Sequence, residues 1–217
     1  MLENKTLDFL KEVLNKMPQD WLNLTTHRLD IYNESRAKEE FLDLLDKMFN
    51  SGMVNESDLK ELPTAYDYIR LGHPLSCVFE WAIANSLNLP DRNVISFDSK
   101  TIPLMAILRK NLMDNKRTVL YHFNALPPAL DPDALKSVYN YQFDIKSIES
   151  VDEISSDDSV SILYNETNNS IHQDDLSKTD YIINAHGALG SILVICDEQD
   201  AKAASDIQHV EEEKQLL

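Results

Sequence analysis

The chain has 217 residues, enough for one domain with a sizeable core, and 43% of them are hydrophobic, as in globular rather than disordered proteins. Its 37 acidic and 20 basic residues give a net charge of −17. Residues 111–217 hold 20 acidic against 7 basic residues, a net of −13, whereas residues 1–110 have a net of −4. Such a field repels nucleic-acid phosphates and anionic lipid headgroups. We therefore expect no nucleic-acid binding.

The sequence also lacks the signals of export and of membrane insertion. No basic region followed by an apolar region begins the chain, and no apolar run is long enough to span a bilayer. Cys77 and Cys196 lie far apart in apolar runs, which favours buried, reduced thiols. We expect a cytoplasmic protein without direct membrane insertion.

The first third of the chain has the apolar spacing of helices. One helix is predicted to end at Pro18, and a second covers 34–50 with Gly52 as its stop. A short turn starts at Ser57 and ends at Pro63. The segment 74–84 is apolar almost all round, with Glu80 its only charge, which predicts a helix buried in the core or against a partner. Trp81 and Phe79 of this helix are predicted to belong to the core.

From residue 94 onward, short apolar runs alternate with helical patterns. The predicted strands cover 94–97, 118–121, 141–145, 160–164, 181–184 and 191–196. The predicted helices cover 102–113, 131–138 with Asp131 as cap, and about 198 to the C-terminus. Residues 149–158 and 166–179 are predicted to be polar loops, and His186–Gly190 a tight hairpin turn between the last two strands.

This alternation predicts an α/β protein, with a helical N-terminal third followed by a mixed, mostly parallel sheet of about five or six helix-covered strands. No linker is long enough to divide the chain. We expect a single domain over 1–217, with a helical segment at 1–62 and an α/β portion at 63–217.

The residue patterns of catalysis are missing. Only four glycines occur, and none form a phosphate-binding loop. The six histidines show no metal-ligand spacing, and no nucleophile elbow marks a serine. We therefore predict no catalytic residues, no metal, no cofactor and no enzymatic activity.

One set of segments resembles the pyridoxal-phosphate enzymes of cysteine and methionine metabolism. Residues 68–75 (YIRLGHPL), followed by a helix, resemble the family's Y-S-R-x-G-N-P-T segment, and the resemblance implies that Tyr68 and Arg70 reach a cofactor phosphate. Residues 96–102 (SFDSKTI) lie where the family has its F-S-S-G-M-A turn. Residues 180–186 resemble the strand before the Schiff-base lysine, and residues 190–194 the strand after it.

The departures from this family concern its chemistry. No lysine occurs between Lys178 and Lys202, so the Schiff-base position is empty, and the aspartate segment is shortened to a polar run around His172. Lys100 stands where the phosphate turn needs a small residue. Without the imine lysine the covalent step is lost. The resemblance implies a degenerate or dimer-dependent relative with part of the scaffold retained; alternatively, Tyr68 and Arg70 merely flank a helix start.

The overall character of the chain is similar to another class, the LvgA family of small acidic adaptors of the bacterial type IVB (Dot/Icm) coupling complex. Size, acidity and missing chemistry carry this resemblance. It implies a virulence-associated secretion chaperone that recognises effector proteins alongside other adaptor or coupling subunits.

The leading hypothesis is therefore a non-enzymatic adaptor or chaperone that binds basic or amphipathic segments of other proteins. Its alternatives are the pyridoxal-phosphate enzyme relative and a purely structural subunit of a larger assembly. The candidate contact surface is the acidic run Glu149, Asp152, Glu153, Asp157 and Asp158; alternatively, this run is a solvated loop and its charge serves only solubility.

Overall fold

The computed structural model describes residues 2–22, 34–63, 73–155, 157–166 and 171–197. Its internal contacts divide the chain into two units, Met1–Asp91 and Arg92–Leu217, called here the helical unit and the sheet unit. The expectation of one domain over 1–217, with a division near residue 62, stays a prediction. The predicted C-terminal helix lies outside the described residues.

The described part of the helical unit is built from four α-helices and one short 3-10 helix. Its elements are α1 (Leu2–Lys16), a 3-10 helix (Gln19–Leu22), α2 (Glu34–Ser51), α3 (Glu56–Lys60) and α4 (Pro74–Leu87). Helix α4 begins after His73, whose Nδ1 accepts the Leu75 N–H at 3.1 Å, and it ends at Asn88 in the left-handed conformation. Proline at the first position suits this start, because its missing N–H needs no partner there.

Aromatic rings form the centre of the helical unit. Phe9 of α1, Phe49 of α2 and Trp81 of α4 contact one another with ring centroids 5.1 to 5.3 Å apart. Trp81 is only 3% exposed, which confirms its prediction as a core residue. The same prediction for Phe79 was wrong, because its side chain is 45% exposed. Two helical residues subtend about 200°, so Phe79 lies on the opposite side of α4 from Trp81.

A buried ion pair joins α2 to α4. Lys38 Nζ donates to Glu80 Oε2 at 2.8 Å, and both side chains are less than one-tenth exposed. Burial by itself lowers the pKa of the Lys38 amine, but the negative charge of Glu80 outweighs this effect, so the pKa is raised and the amine stays protonated. The single charge in the apolar helix is thus neutralised inside the unit.

The sheet unit contains six strands among its described residues. They are β1 (Val94–Phe97), β2 (Thr118–His122), β3 (Phe143–Ser147), β4 (Val160–Asn165), β5 (Tyr181–His186) and β6 (Gly190–Ile195). The α-helices are α5 (Ile102–Met113), α6 (Pro132–Tyr139) and α7 (Gln173–Lys178), with two 3-10 helices at Asp91–Asn93 and Val151–Glu153. Asp131 caps α6 by accepting the Ala134 N–H, as predicted.

The strand order is β1-β6-β5-β4-β2-β3. Strands β3, β2, β4 and β5 pair in parallel, and β6 pairs antiparallel with both β5 and β1. Five strands therefore run in one direction and β6 runs against them. The prediction of an α/β fold with a mixed, mostly parallel sheet flanked by helices, and with helices in the N-terminal region, is confirmed.

The apolar runs of the strands are buried because the sheet has a large core. One face packs with α5 and α6 in a cluster that includes Leu104, Ile107 and Leu135 from the helices and Ile162 and Ile183 from the strands. Residues of the opposite face, such as Val119, Leu163 and Val194, are also buried. Burial on both faces explains why these strands read as near-continuous apolar runs.

Three elements depart clearly from the sequence prediction. The stretch predicted as a short turn from Ser57 to Pro63 begins with helix α3 (Glu56–Lys60). Helix α7 lies inside the stretch 166–179 that was predicted to be a loop, because its polar composition lacks an apolar stripe. Strand β3 begins at Phe143 rather than Tyr141, whose ring instead stacks on Tyr139 with centroids 5.5 Å apart. None of the helices in the described part of the chain has the length and hydropathy needed to span a bilayer.

Candidate functional site

The carboxyl ends of β1, β4 and β5 meet at one edge of the sheet, which is where open α/β sheets bind ligands. Ser99 and Lys100 follow β1, Glu166 follows β4, and the hairpin turn 187–189 follows β5. Strands β1 and β5 are separated only by β6. Three segments that carry the resemblance to pyridoxal-phosphate enzymes, at 96–102, 180–186 and 190–194, are thus brought side by side.

Ser99 organises the turn between β1 and α5. Its Oγ accepts the N–H groups of Thr101 and Ile102 at 3.2 and 3.3 Å. Its carbonyl oxygen accepts the Ser191 hydroxyl at 2.5 Å, which ties the turn to β6. The first amides of a helix are a ready anion site when they point at solvent. Here a side chain of the protein already bonds to two of them.

Lys100 forms an ion pair across the same edge. Its Nζ donates to Glu166 Oε1, and the two side chains are 27% and 26% exposed. The resemblance placed Lys100 in the turn that binds the cofactor phosphate, and the structure shows its charge engaged by a carboxylate. Glu166 was not singled out in the sequence; its position one residue after a buried strand was the available signal.

Tyr164 ends in a buried hydroxyl on β4. The residue is 1% exposed, and its oxygen has no hydrogen-bond partner within the described residues. Burial raises the pKa of this phenol, and the negative charge of Glu166 raises it further. Tyr164 is therefore neutral at physiological pH.

Gly190 allows β6 to lie against the end of β1. Its φ is +95°, and a Cβ built there would lie 2.1 Å from the Phe97 carbonyl oxygen. Only glycine adopts this conformation at so close an approach. The turn 187–189 joins β5 to β6, which confirms the predicted hairpin.

The residues at this edge do not fit pyridoxal phosphate. The turn after β5 holds no lysine for an imine, Lys100 is paired, and Ser99 bonds to the amides that a phosphate would need. Tyr68 and Arg70 lie outside the described residues. We therefore derive no reaction step through this cofactor. No cluster of metal-ligating side chains occurs within the described ranges either.

The predicted acidic surface lies on the segment that leads from the carboxyl end of β3 to the amino end of β4, so that Asp157 and Asp158 reach the amino edge of the sheet. All five of its side chains, Glu149, Asp152, Glu153, Asp157 and Asp158, are exposed. Glu153 accepts the N–H groups of Glu149 and Ser150 and so caps a 3-10 helix. Asp152 pairs with Lys178, which lowers the pKa of its carboxyl. Hydrogen bonds from Ser159 lower the pKa of Asp157.

A polar cavity of about 440 Å³ lies beside this surface, at the amino ends of β4 and β5. Asp157 and Asp158 line it, together with Lys116, Lys178 and Asp180, which the sequence did not point to. Asp180 is bound by Ser161, whose N–H and hydroxyl both donate to Oδ2 at 2.7 Å. Two of the predicted residues, Asp157 and Asp158, thus line one cavity together with two lysines.

Comparison with known proteins finds similar solved structures but no similar sequences. No family model and no curated protein matches the sequence. Structural neighbours are pyridoxal-phosphate-dependent enzymes of cysteine and methionine metabolism, at low identity. The cystathionine gamma synthase of Xanthomonas oryzae pv. oryzae, in complex with aminoacrylate and cysteine, is 13% identical, with 72% of this chain and 50% of that chain covered and a TM-score of 0.48.

Two further neighbours are similar. The cystathionine gamma-lyase of Lactobacillus plantarum, complexed with L-serine, is 12% identical over 69% of this chain and 49% of that chain, with a TM-score of 0.44. A putative O-acetylhomoserine (thiol)-lyase of Campylobacter jejuni is 15% identical over 85% of this chain and 49% of that chain, with a TM-score of 0.42. The chain spans about half the length of these neighbours. At such scores the likeness does not define its family, and these matches lend no support to the secretion-adaptor resemblance.

Proposed function

We propose that this protein is a non-catalytic relative of the pyridoxal-phosphate enzymes and acts by binding other proteins. One observation carries the first half of the proposal: the sequence segments at 96–102, 180–186 and 190–194 lie side by side, yet Ser99 and Glu166 occupy the groups that would hold a phosphate. The absence of a lysine from the turn after β5 is the second support for a non-catalytic protein. A scaffold of this kind keeps the fold and loses the covalent chemistry.

The first test adds pyridoxal phosphate to the purified protein. We expect no saturable absorbance band of an internal imine, because the turn after β5 has no lysine and Lys100 is paired with Glu166. Borohydride reduction followed by peptide mapping is expected to show only scattered labelling of exposed lysines. Lys100→Ala serves as the matched variant. One-to-one labelling of Lys100 in the wild type, lost in that variant, would revive the enzyme alternative.

The charge distribution supports the second half, that partners are proteins with basic or amphipathic segments. The chain carries −17, with −13 in residues 111–217, and the five exposed acids of residues 149–158 lie in the sheet unit. Opposite charge speeds encounter and selects partners more than it adds affinity. In the finer form of this proposal, the partners are secretion substrates presented to a bacterial type IV coupling complex.

The second test is affinity capture from the native host at increasing salt. We expect stable protein partners, with capture that weakens as salt rises, because screening shortens the range of exposed charges to about 10 Å at 0.1 M and about 3 Å at 1 M. Neutralising Glu149, Asp157 and Asp158 together with glutamine or asparagine is expected to weaken capture. Asp152 and Glu153 are left intact because they hold Lys178 and the 3-10 helix cap.

The matched control removes the same number of charges from the helical unit, with Asp8→Asn, Glu12→Gln and Glu61→Gln. All three residues are exposed there. If both triple variants bind alike and salt has no effect, the charge serves only solubility. Recovery of no stable partner would count against the protein-binding proposal itself.

A further inference from the structure

The helical unit contains a groove of about 280 Å³ between α2 and α4. Leu42 and Trp81 form part of its wall, and both are 3% exposed. The wall continues into Leu89 and Pro90, just after α4. The volume is just below the range of about 300–1,000 Å³ that is typical of small-molecule sites, which suits one long side chain better than a cofactor.

The charged groups of the groove are all acidic. Asp43 and Asp46 line it from α2, and Asp91 lines it beyond α4, whereas no basic residue does. Asp43 and Asp46 are exposed and three residues apart, so they lie on the same side of α2. Within the described residues, no basic side chain pairs with either of these two carboxylates.

Lys38 of α2 already has a carboxylate partner within the helical unit. Lys38, one turn before Leu42 on α2, is buried and donates to Glu80 at 2.8 Å. Asp91 acts electrostatically on Lys38, so its charge is in part balanced within the unit. The uncompensated charge of the groove therefore resides on Asp43 and Asp46.

We propose that this groove binds one lysine or arginine side chain from a basic segment of a partner protein. The methylene stem would lie along Leu42, Trp81 and Leu89, and the cationic head would reach Asp43 and Asp46. Long basic side chains combine an apolar stem with a charged tip, which is the pattern that this groove presents. The inference rests on the proposed protein-binding function and adds, within the helical unit, a second site for a basic side chain of the partner.

The test is an NMR titration of the whole chain with a blocked five-residue peptide that has one arginine between two leucines. The control peptide carries citrulline, which keeps the shape of arginine without its charge. We expect a saturable shift of the Trp81 indole N–H with the arginine peptide, and about twofold to fivefold weaker binding of the citrulline peptide, as exposed charge pairs provide.

The matched variants change charge without changing shape. In the double variant Asp43→Asn with Asp46→Asn, the affinity for the arginine peptide is expected to fall to that of the citrulline peptide. Glu12→Gln with Glu61→Gln removes two exposed acids elsewhere in the same unit and is expected to leave the titration unchanged. Equal response of Trp81 to both peptides in the wild type, or no saturable response, would overturn the groove proposal without any variant being needed.

This outcome is distinguishable from failure of the proposed function. If partners are captured from the host and the Asp43/Asp46 variant captures them as well as wild type, the groove proposal fails alone. If the peptide binds at the groove and no partner is captured, the protein-binding function fails and the groove remains a site for a basic ligand.

Discussion

Replacing Lys38 by methionine is expected to lower the free energy of unfolding by about 3–5 kcal/mol, because it leaves Glu80 buried without its partner. Glu80 is 3% exposed, and the pair is made at 2.8 Å between residues 42 positions apart. Urea unfolding followed by Trp81 and Trp21 fluorescence would measure the change. We expect a cooperative transition in the wild type and a lower midpoint in the variant.

Two controls separate the pair from a general effect of losing a lysine. Lys60→Met breaks an exposed pair with Glu56 and is expected to change the free energy of unfolding far less than Lys38→Met does, because solvent screens an exposed pair. Lys38→Met combined with Glu80→Leu removes both charges, and replacement of a buried pair by apolar side chains is often neutral or stabilising by about 1–4 kcal/mol. If the double variant is as unstable as the single one, packing rather than charge explains the loss.

Gly190→Ala is expected to destabilise the sheet unit more than any other single methyl addition at a described glycine. The positive φ alone costs about 1–3 kcal/mol for a residue with a side chain. The new Cβ would also lie 2.1 Å from the Phe97 carbonyl oxygen and under 3 Å from Asp98 backbone atoms, so β1 must move away from β6. Thermal or urea unfolding would measure the combined effect.

The two other glycines in the described part of the chain provide graded controls. Gly52 also has a positive φ but has open space around it, so Gly52→Ala reports the conformational cost alone. Gly187 has neither feature, and Gly187→Ala is expected to stay within about 0.5 kcal/mol of wild type. If Gly190→Ala lowers the free energy of unfolding no more than Gly52→Ala does, β1 can move away from β6 without a measurable loss of stability.

The two proposals about function depend on different kinds of observation. The proposed loss of cofactor chemistry rests on contacts at the carboxyl edge. Lys100 pairs with Glu166, Ser99 Oγ accepts two backbone N–H groups at the start of α5, and the Ser99 carbonyl accepts the Ser191 hydroxyl. Protein binding depends on charge, through the exposed acids of the sheet unit and the groove of the helical unit. The spectroscopic test and the binding tests can therefore succeed or fail separately.

Local features of this chain were predictable from its sequence. The bounds of β1 and α5, the Asp131 cap of α6 and the hairpin 187–189 all depend on patterns within a few neighbouring residues. The alternation of strands and helices was enough to predict a mostly parallel sheet. Helix α7 was missed because a short polar helix has no apolar stripe for periodicity to detect.

Tertiary structure decided which distant residues meet. Lys38 pairs with Glu80, Lys100 with Glu166 and Asp152 with Lys178, across 42, 66 and 26 positions of sequence. These pairs depend on strand order and helix packing, which no local pattern encodes. Composition alone determined that the protein is strongly acidic, but only the fold determined which carboxylates are neutralised by lysine and which, like Asp43 and Asp158, keep an exposed charge.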